Sequence, residues 1–481
     1  MSSPPSQPPP LKGGGVHSPS PLRGEGRGGG ATASDPLAGS VGWEMFDWAN
    51  QPYFTVITTF IFAPYFASVM IGDPVRGQTL WAWTQAIAGI TIAVLSPFLG
   101  AMADAAGRRK PWIAAFQAIM VVGCCLLWWG LPGRPDLVPL VALGIVLASI
   151  GAEFSIVFNN ALLPSLVPPE RVGRLSGFGW GMGYIGGLMA LFAALIVSRP
   201  ELIGIVPPDG QALFGLDRAA YEAERLTGPA SALWLLVFVL PMFLFTPDGR
   251  SRGLSAVEAA RQGVRRLFGT LRDLRGHRNQ ALFQLAFMIY NDGLLAVIAF
   301  GGIYAAGAFG WSTTELGLFG IITIVFATIG CFAGGWLDDR IGSKRTVRLA
   351  IAGLFVATLG IVSVTAERVL FVVPVAPPGG GLFASAAEQV FLVFAVLLGI
   401  CMGPMQAASR TLVARLAPPG MAGEFYGLFA LSGRATAFLA PVSIGIVTAL
   451  FASQRAGLVV VLVFLGVGFA LLALVREPAR G

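Results

Sequence analysis

Three carboxylates and one guanidinium stand in stretches of this chain that are otherwise almost wholly apolar. They are Asp47 in WEMFDWANQPYF, Glu153 in LASIGAEFSIVF, Asp292 in YNDGLLAVIAF and Arg434 in LSGRATAF. An ionisable group withdrawn from water is costly, so it is retained where it binds something or where it is paired. The chemistry open to these four is uptake and release of a proton, contact with a polar solute, or a static ion pair. Glu153 lies past the middle of its stretch with no charged neighbour in sequence. It either handles a proton or solute, or holds helices together against Arg434 or Arg410. Asp47 lies nearer the end of its stretch, where capping a helix or pairing with a basic loop is the alternative to a cavity role. Asp292 has Asn291 beside it.

Other chemistries are excluded by composition. The chain has only two histidines, His17 and His277, both outside the apolar runs. That leaves no zinc site, haem ligand or Ser-His or Cys-His pair. Cys124, Cys125, Cys331 and Cys401 all lie inside apolar runs and read as small apolar fillers, not disulfides. No ATP-binding P-loop or metal motif is present. The expectation is therefore a chain that is not an enzyme and holds no cofactor and no metal.

The elements that must position these groups follow from hydropathy. Of 481 residues 55% are hydrophobic and 12% charged, against about 25% charged in soluble domains. Twelve apolar runs approach or exceed the length needed to cross a bilayer. They cover about 42–70, 79–103, 112–131, 137–163, 173–198 and 230–246, then 280–306, 315–337, 346–365, 387–413, 424–450 and 456–475. Pro64, Pro97, Pro404 and Pro441 fall inside them and are compatible with membrane helices. The series from Gly177 to Gly187 reads as a surface for close helix packing.

Of the 32 Lys and Arg, 24 fall in the two tails and the segments on one side, and seven in the segments on the other. The positive-inside rule then puts both termini and the middle loop in the cytoplasm. The net charge of +7 is spread over short inter-span segments. It points to lipid headgroups as a partner and away from nucleic acid. The expected organisation is a disordered Pro/Gly-rich tail at 1–40, a six-helix bundle at 41–246, a linker at 247–279, a second bundle at 280–476 and a short tail at 477–481. In the linker, Val257, Val264, Leu267, Phe268, Leu271 and Leu274 recur near helical spacing among arginines. This predicts an amphipathic helix lying on the cytoplasmic leaflet. A long, mildly acidic outer loop is expected over 199–229. Trp81, Trp83, Trp112, Trp128, Trp129 and Trp311 fall near span ends as an interfacial belt. Trp48 and Tyr290 are candidate cavity aromatics, with packing as the equal alternative.

The two halves repeat each other. GAMADAAGRRKPW (100–112) and GWLDDRIGSKR (335–345) share a glycine four residues before an Asp, a glycine three after it, and a basic cluster. The first contributes Gly100, Asp104, Gly107, Arg108 and Arg109; the second contributes Gly335, Asp339, Arg340, Gly342, Lys344 and Arg345. LVPPERVGRLSGF (166–178) likewise aligns with LAPPGMAGEFYGL (416–428). Parallel halves of six spans are a transporter layout.

These loops resemble the best-known motif of the major facilitator superfamily. The first copy departs from it in having Ala105 where a basic residue is usual, which suggests that this copy is the weaker. WEMFDWANQPYFTVITTFIFAPYF (43–66) and YNDGLLAVIAFGGIYAAGAFG (290–310) further resemble the unknown major facilitator family, which includes fungal vacuolar amino-acid effluxers linked to autophagy. The resemblance covers about 42–476. It implies an all-α membrane protein of twelve transmembrane helices in two pseudo-symmetric six-helix halves. It implies that spans 1, 4, 7 and 10 line a central cavity. Asp47, Asn50, Glu153, Asn159, Asn160, Asn291, Asp292, Gln406 and Arg410 lie on those spans, with Arg434 on span 11. It also implies that Asp104 and Asp339 meet helix N-termini of the opposite half, near Gly423 and Gly173, and bias the molecule towards a cytoplasm-closed state.

The function expected on this basis is secondary active transport of a small solute by alternating access, coupled to a proton. An amino acid or similar metabolite, possibly exported, is the expected substrate. The protein is expected to be a monomer in the plasma or inner membrane. A cation-coupled sugar symporter of the glycoside type is a rival, since GRRKPW (107–112) and DWAN (47–50) resemble that family. A non-transporting membrane sensor is another.

Overall fold

The computed structural model describes residues 36–198, 213–272, 276–311, 313–376 and 381–478. The tail expected over 1–40 lies outside them up to residue 35, as do much of the 199–229 loop, Leu274, Arg275 and the last three residues. Among the described residues twelve helical spans are long and apolar enough to cross a membrane. Spans 1 to 6 are Leu37–Met70, Arg76–Ala106, Lys110–Trp129, Pro135–Ser165, Pro169–Ser198 and Glu222–Phe245. Spans 7 to 12 are Arg278–Phe309, Glu315–Ile341, Ser343–Ser363, Ala386–Leu416, Ala422–Phe451 and Gln454–Leu474. Six spans pack around each of two large cores.

Span 6 starts about eight residues earlier than its apolar run, because a charge there is satisfied internally. Arg225 is buried. It donates to Trp128 O at 2.8 Å and Ala220 O at 3.2 Å and lies over the Trp128 ring. Trp311 also departs from expectation. Instead of facing an interface it is buried and donates from Nε1 to Glu388 Oε1 at 2.8 Å. A two-stranded hairpin, Arg368–Val369 with Val373–Pro374, follows span 9.

Spans 1, 6 and 11 are discontinuous, each beside a proline; in span 6 the helix Glu222–Phe238 gives way at Val239 to Leu240–Phe245, with Pro241 in its first turn. In span 1 the α-helix gives way to a π-helix at Tyr53–Phe60. Pro52 cannot donate to the carbonyl four residues back, and Trp234 Nε1 takes that carbonyl, Trp48 O, instead. The Thr58 and Thr59 hydroxyls both donate to Phe54 O, at 2.7 and 2.8 Å, a contact that bends helices. In span 11 the helix Ala422–Ala435 stops and Leu439–Phe451 begins afresh. Pro441 excludes the carbonyl of Ala437 from the ladder, so residues 436–438 unwind.

The linker carries a helix, Ala256–Arg272. Ser255 and Glu258 cap it, with the Ser255 N–H and hydroxyl donating to Glu258 at 2.9 and 2.8 Å; these bonds hold the Glu258 carboxyl below its ordinary range. Its apolar side is not reserved for lipid. Leu267 is buried, Phe268 meets the Phe98 ring at 6.1 Å, and Gly263 lies against the backbone of Ala101 and Met102 on span 2.

Candidate functional site

The halves meet along two helix crossings, and glycine makes both possible. A Cβ at Gly100 on span 2 would stand 2.7 Å from the carbonyl carbon of Gly423 on span 11. A Cβ at Gly177 on span 5 would stand 2.7 Å from Gly335 Cα on span 8. Both crossings lie at the end of the molecule that carries the basic hinges.

There Asp104, buried on span 2, accepts from the N–H groups of Gly423 at 3.0 Å and Glu424 at 2.9 Å, in the first turn of span 11. Arg109 Nη2 pairs with the same carboxylate at 2.9 Å. Asp339 lies against the equivalent turn of span 5: its Oδ1 would be 2.8 Å from a Cβ at Gly173, and Arg174 Nε lies 3.8 Å from its Oδ2. Asp339 thus meets the Gly173 and Arg174 backbone as Asp104 meets that of Gly423 and Glu424, and Arg109 supplies a positive charge beside Asp104 in place of the one Ala105 lacks. Arg340 stacks on Trp336 instead of meeting Asp339. Gly107 and Gly342 take positive φ of 86° and 97° in the two hinges, a conformation glycine reaches without strain. Arg108 and Arg345 are exposed.

Each hinge is also braced by a residue that the sequence reading passed over. Asp248, after span 6, accepts from Arg109 N–H at 2.8 Å and Lys110 N–H at 3.2 Å, while Lys110 Nζ donates to Phe243 O. Glu477, after span 12, accepts from Ser343 N–H at 2.9 Å and Lys344 N–H at 3.0 Å, while Lys344 Nζ donates to Ala473 O. In both halves a carboxylate caps the third span, and a lysine returns to the last carbonyls of the sixth. Arg415 joins Glu477 to the buried Asp338.

Beyond the sealed end lies a cavity of about 490 Å³ between the halves. Eight of the ten cavity candidates line it: Asp47, Asn50, Glu153, Asn160, Asn291, Gln406, Arg410 and Arg434. Asn159 does not. It is fully buried, and its carbonyl takes the Trp43 indole at 2.8 Å; one residue along a helix, about 100°, separates it from Asn160. Asp292 is also outside the lining, buried on span 7. Trp48 and Tyr290 are corrected too: Trp48 stacks on Trp234 at 5.8 Å, and Tyr290 is bonded to Ser409 at 2.7 Å inside the second half. The aromatic lining comes instead from Phe54, Trp180, Tyr184, Phe287, Tyr426 and Phe429. Ser176, Trp180 and Tyr184 of span 5 are not among the residues singled out from sequence. Their spacing of four marks one helix face, and that was the available signal.

Within the cavity, two acid–arginine pairs cross from half to half. Arg410 Nη1 donates to Asp47 Oδ2 at 2.7 Å. It is further fixed by Ser176, through Oγ at 2.9 Å and the carbonyl at 2.5 Å, and by Asn160 at 3.4 Å. With Tyr184 OH donating to Gln406 at 2.5 Å, this cluster floors the cavity at the basic end. The second pair, Glu153 with Arg434, is more open, with 18% and 42% of the side chains exposed. Both of its members also line a smaller adjoining pocket of about 160 Å³, with Tyr53, Ser149 and Gln85. One pair is thus buried and fully bonded; the other faces two cavities.

Comparison with known proteins follows the same lines. The family model described as "Vacuole effluxer Atg22 like" matches residues 39–479. The uncharacterized MFS-type transporter YxiO of Bacillus subtilis is 25% identical over 443 residues, spanning 90% of this chain and 94% of that protein. Autophagy-related protein 22-1 of Neosartorya fischeri is 24% identical over 322 residues, 64% of this chain; the chain spans about half the length of this fungal relative, 49%. Among solved structures, the proton:xylose symporter XylE bound to 6-bromo-6-deoxy-D-glucose superposes with a TM-score of 0.67 at 14% identity, over 92% of this chain and 96% of that one. That likeness identifies the major facilitator fold.

Proposed function

We propose that this chain, which belongs to the Atg22-like vacuole effluxer family of major facilitator transporters, moves a small zwitterionic solute, an amino acid or close relative, by proton-coupled alternating access. The observation that carries the reading is the pair of acid–arginine bridges spanning the two halves within one cavity. A zwitterion presents a carboxylate and an ammonium about one Cα apart. Arg434 offers a planar fork for the carboxylate, and Glu153 offers the counter-charge for the ammonium. A solute that splits this pair replaces one inter-half contact with its own, so its binding is linked to the movement of the halves. The walls around the pair, including Phe54, Ile156, Val157, Leu295 and Phe429, suit an apolar side chain. The family's description as a vacuole effluxer supports an efflux role.

The basic end, with both termini, faces the cytoplasm in this reading, as the distribution of 24 of 32 cationic residues supports. The conformation described is then the cytoplasm-closed one. Asp104 and Asp339 are its latches, and anionic lipid meets the exposed Arg108, Arg340 and Arg345. The protein acts as a monomer in the plasma or inner membrane.

The test is flux into proteoliposomes under an imposed pH gradient, using labelled neutral amino acids beside their amides, which lack the carboxylate, and their deaminated acids, which lack the ammonium. Transport of the zwitterion alone is expected. Equal transport of either analogue would remove the zwitterion reading. Sodium-driven sugar uptake would replace it with the glycoside-type symporter.

A further inference from the structure

Asp292 is the one charged candidate withdrawn from the cavity, and its surroundings are unusual. It lies mid-way along span 7 with 2% of its surface exposed. Among the described residues neither carboxylate oxygen has a hydrogen-bond donor in place. The Thr436 hydroxyl faces it without closing a well-formed bond, and it too lacks another partner. Thr436 opens the unwound turn 436–438 that Pro441 imposes on span 11. The N–H groups beyond the break do not serve the carboxylate: Leu439 N–H donates to Thr436 O at 2.7 Å and Val442 N–H to Phe438 O at 3.1 Å.

No counter-charge faces it from the elements packed around span 7. The helix Leu439–Phe451 carries no ionisable group, and span 12 carries only Arg455, in its first turn. Apolar Phe464 and Leu465 of span 12 close over Gly293. On span 11, Arg434 is turned to Glu153, and Glu424 meets Arg266. On span 10, Arg410 and Arg415 are engaged by Asp47 and by Asp338 and Glu477, and Glu388 by Ser385 and Trp311. The charges of spans 8 and 9 stand at their ends. Tyr290, two residues back on the same helix, is held by Ser409. An isolated carboxylate anion in such a place is costly. A proton neutralises it. So does a small cation, for which the carboxylate, the threonine hydroxyl and carbonyls of the unwound turn are the candidate oxygens. Interrupted membrane helices present carbonyls to sodium or protons in this way.

We propose that Asp292, Thr436 and the unwound turn of span 11 form a binding site for one monovalent cation, a proton or a sodium ion, separate from the solute cavity. Arg434 is the last charged residue before that turn, two positions from Thr436. Cation binding at Asp292 therefore acts on the segment that aims Arg434 at Glu153, which gives coupling ion and solute one shared moving part. This role in coupling rests on the transport reading; the existence of the site does not.

Infrared difference spectroscopy on the full-length protein in detergent tests the site without any solute. Titration with acid at constant salt, and with sodium chloride at constant pH, is expected to produce a carboxyl band change in one of the two arms. That change is expected to be lost in Asp292→Asn, kept in Glu153→Gln and shifted in Thr436→Val. A response to acid assigns the proton, and a response to sodium assigns sodium. If Asp292→Asn does not fold, the shift in Thr436→Val carries the test. A band change that Asp292→Asn and Thr436→Val both leave intact, or no response in either arm, would overturn the site, while flux measured separately could still support transport.

Discussion

Arg410 and Arg434 make the same kind of contact with different consequences. Arg410 is bonded on all sides and nearly inaccessible, so its pairing with Asp47 is structural at rest. Removing one member of a buried pair leaves an uncompensated charge and costs about 3–5 kcal/mol, whereas replacing both is near neutral. Asp47→Asn is therefore expected to lower the melting temperature in detergent markedly, and Asp47→Asn with Arg410→Met to restore much of the loss. Equal losses in the single and double variants would mean that Arg410 is not held by Asp47. Arg434 is half-exposed to the cavity, so its loss should fall on binding. Arg434→Lys keeps the charge but not the planar fork. It is expected to raise the apparent KM for a neutral amino acid about tenfold, about 1.4 kcal/mol, with the melting temperature unchanged. A fall in stability with unchanged KM would make the pair structural.

At the scale of elements, the latches are helix-end contacts. A carboxylate at a helix N-terminus is worth about 0.3–1 kcal/mol, and up to about 2 kcal/mol when partly buried. Asp104→Asn is expected to move the population towards the state open at the basic end by a few-fold to about 30-fold. Asp339→Asn is expected to act in the same direction, since Asp339 meets the equivalent turn of span 5. Labelling of cysteines placed in the cavity from the basic side reads this directly; equal labelling in parent and both variants would dismiss the latches. Gly423→Leu should act more strongly, since a side chain there meets Gly100 O and Asp104 and prevents the crossing from closing. Interrupted spans 1 and 11 serve the same motion. Spans 1 and 11 each carry cavity residues beside a proline-induced break, so each can bend where it touches solute.

For the whole molecule, the twelve spans and their two-fold repeat could be read from the sequence because the bilayer imposes a length on each span and the hinges recur. The site was legible only in part. Asp47 and Arg410 are separated by 363 residues, and Glu153 and Arg434 by 281. Composition says that such charges need partners but not which ones. Asn159 and Asn160 differ by one step of a helix, so no pattern argument separated the lining residue from the packed one. Pro52 and Pro441 were visible, but where a membrane helix unwinds depends on which donor reaches the orphaned carbonyl, and for Pro52 that is the indole N–H of Trp234 on span 6. The opposite-half partners of Asp104 and Asp339 came into view only because the resemblance supplied a geometry that the residues alone do not.

The central claim, that the halves rock about these cross-half pairs, is tested most directly by distances between spin labels on the two halves. One label pair should be placed across the basic end and one across the opposite end. Measurements in lipid nanodiscs with and without a neutral amino acid, in the parent and in Asp104→Asn, are expected to show reciprocal change: the basic end widens as the opposite end narrows. Distances that stay fixed at both ends, or that widen together, would contradict alternating access in this protein.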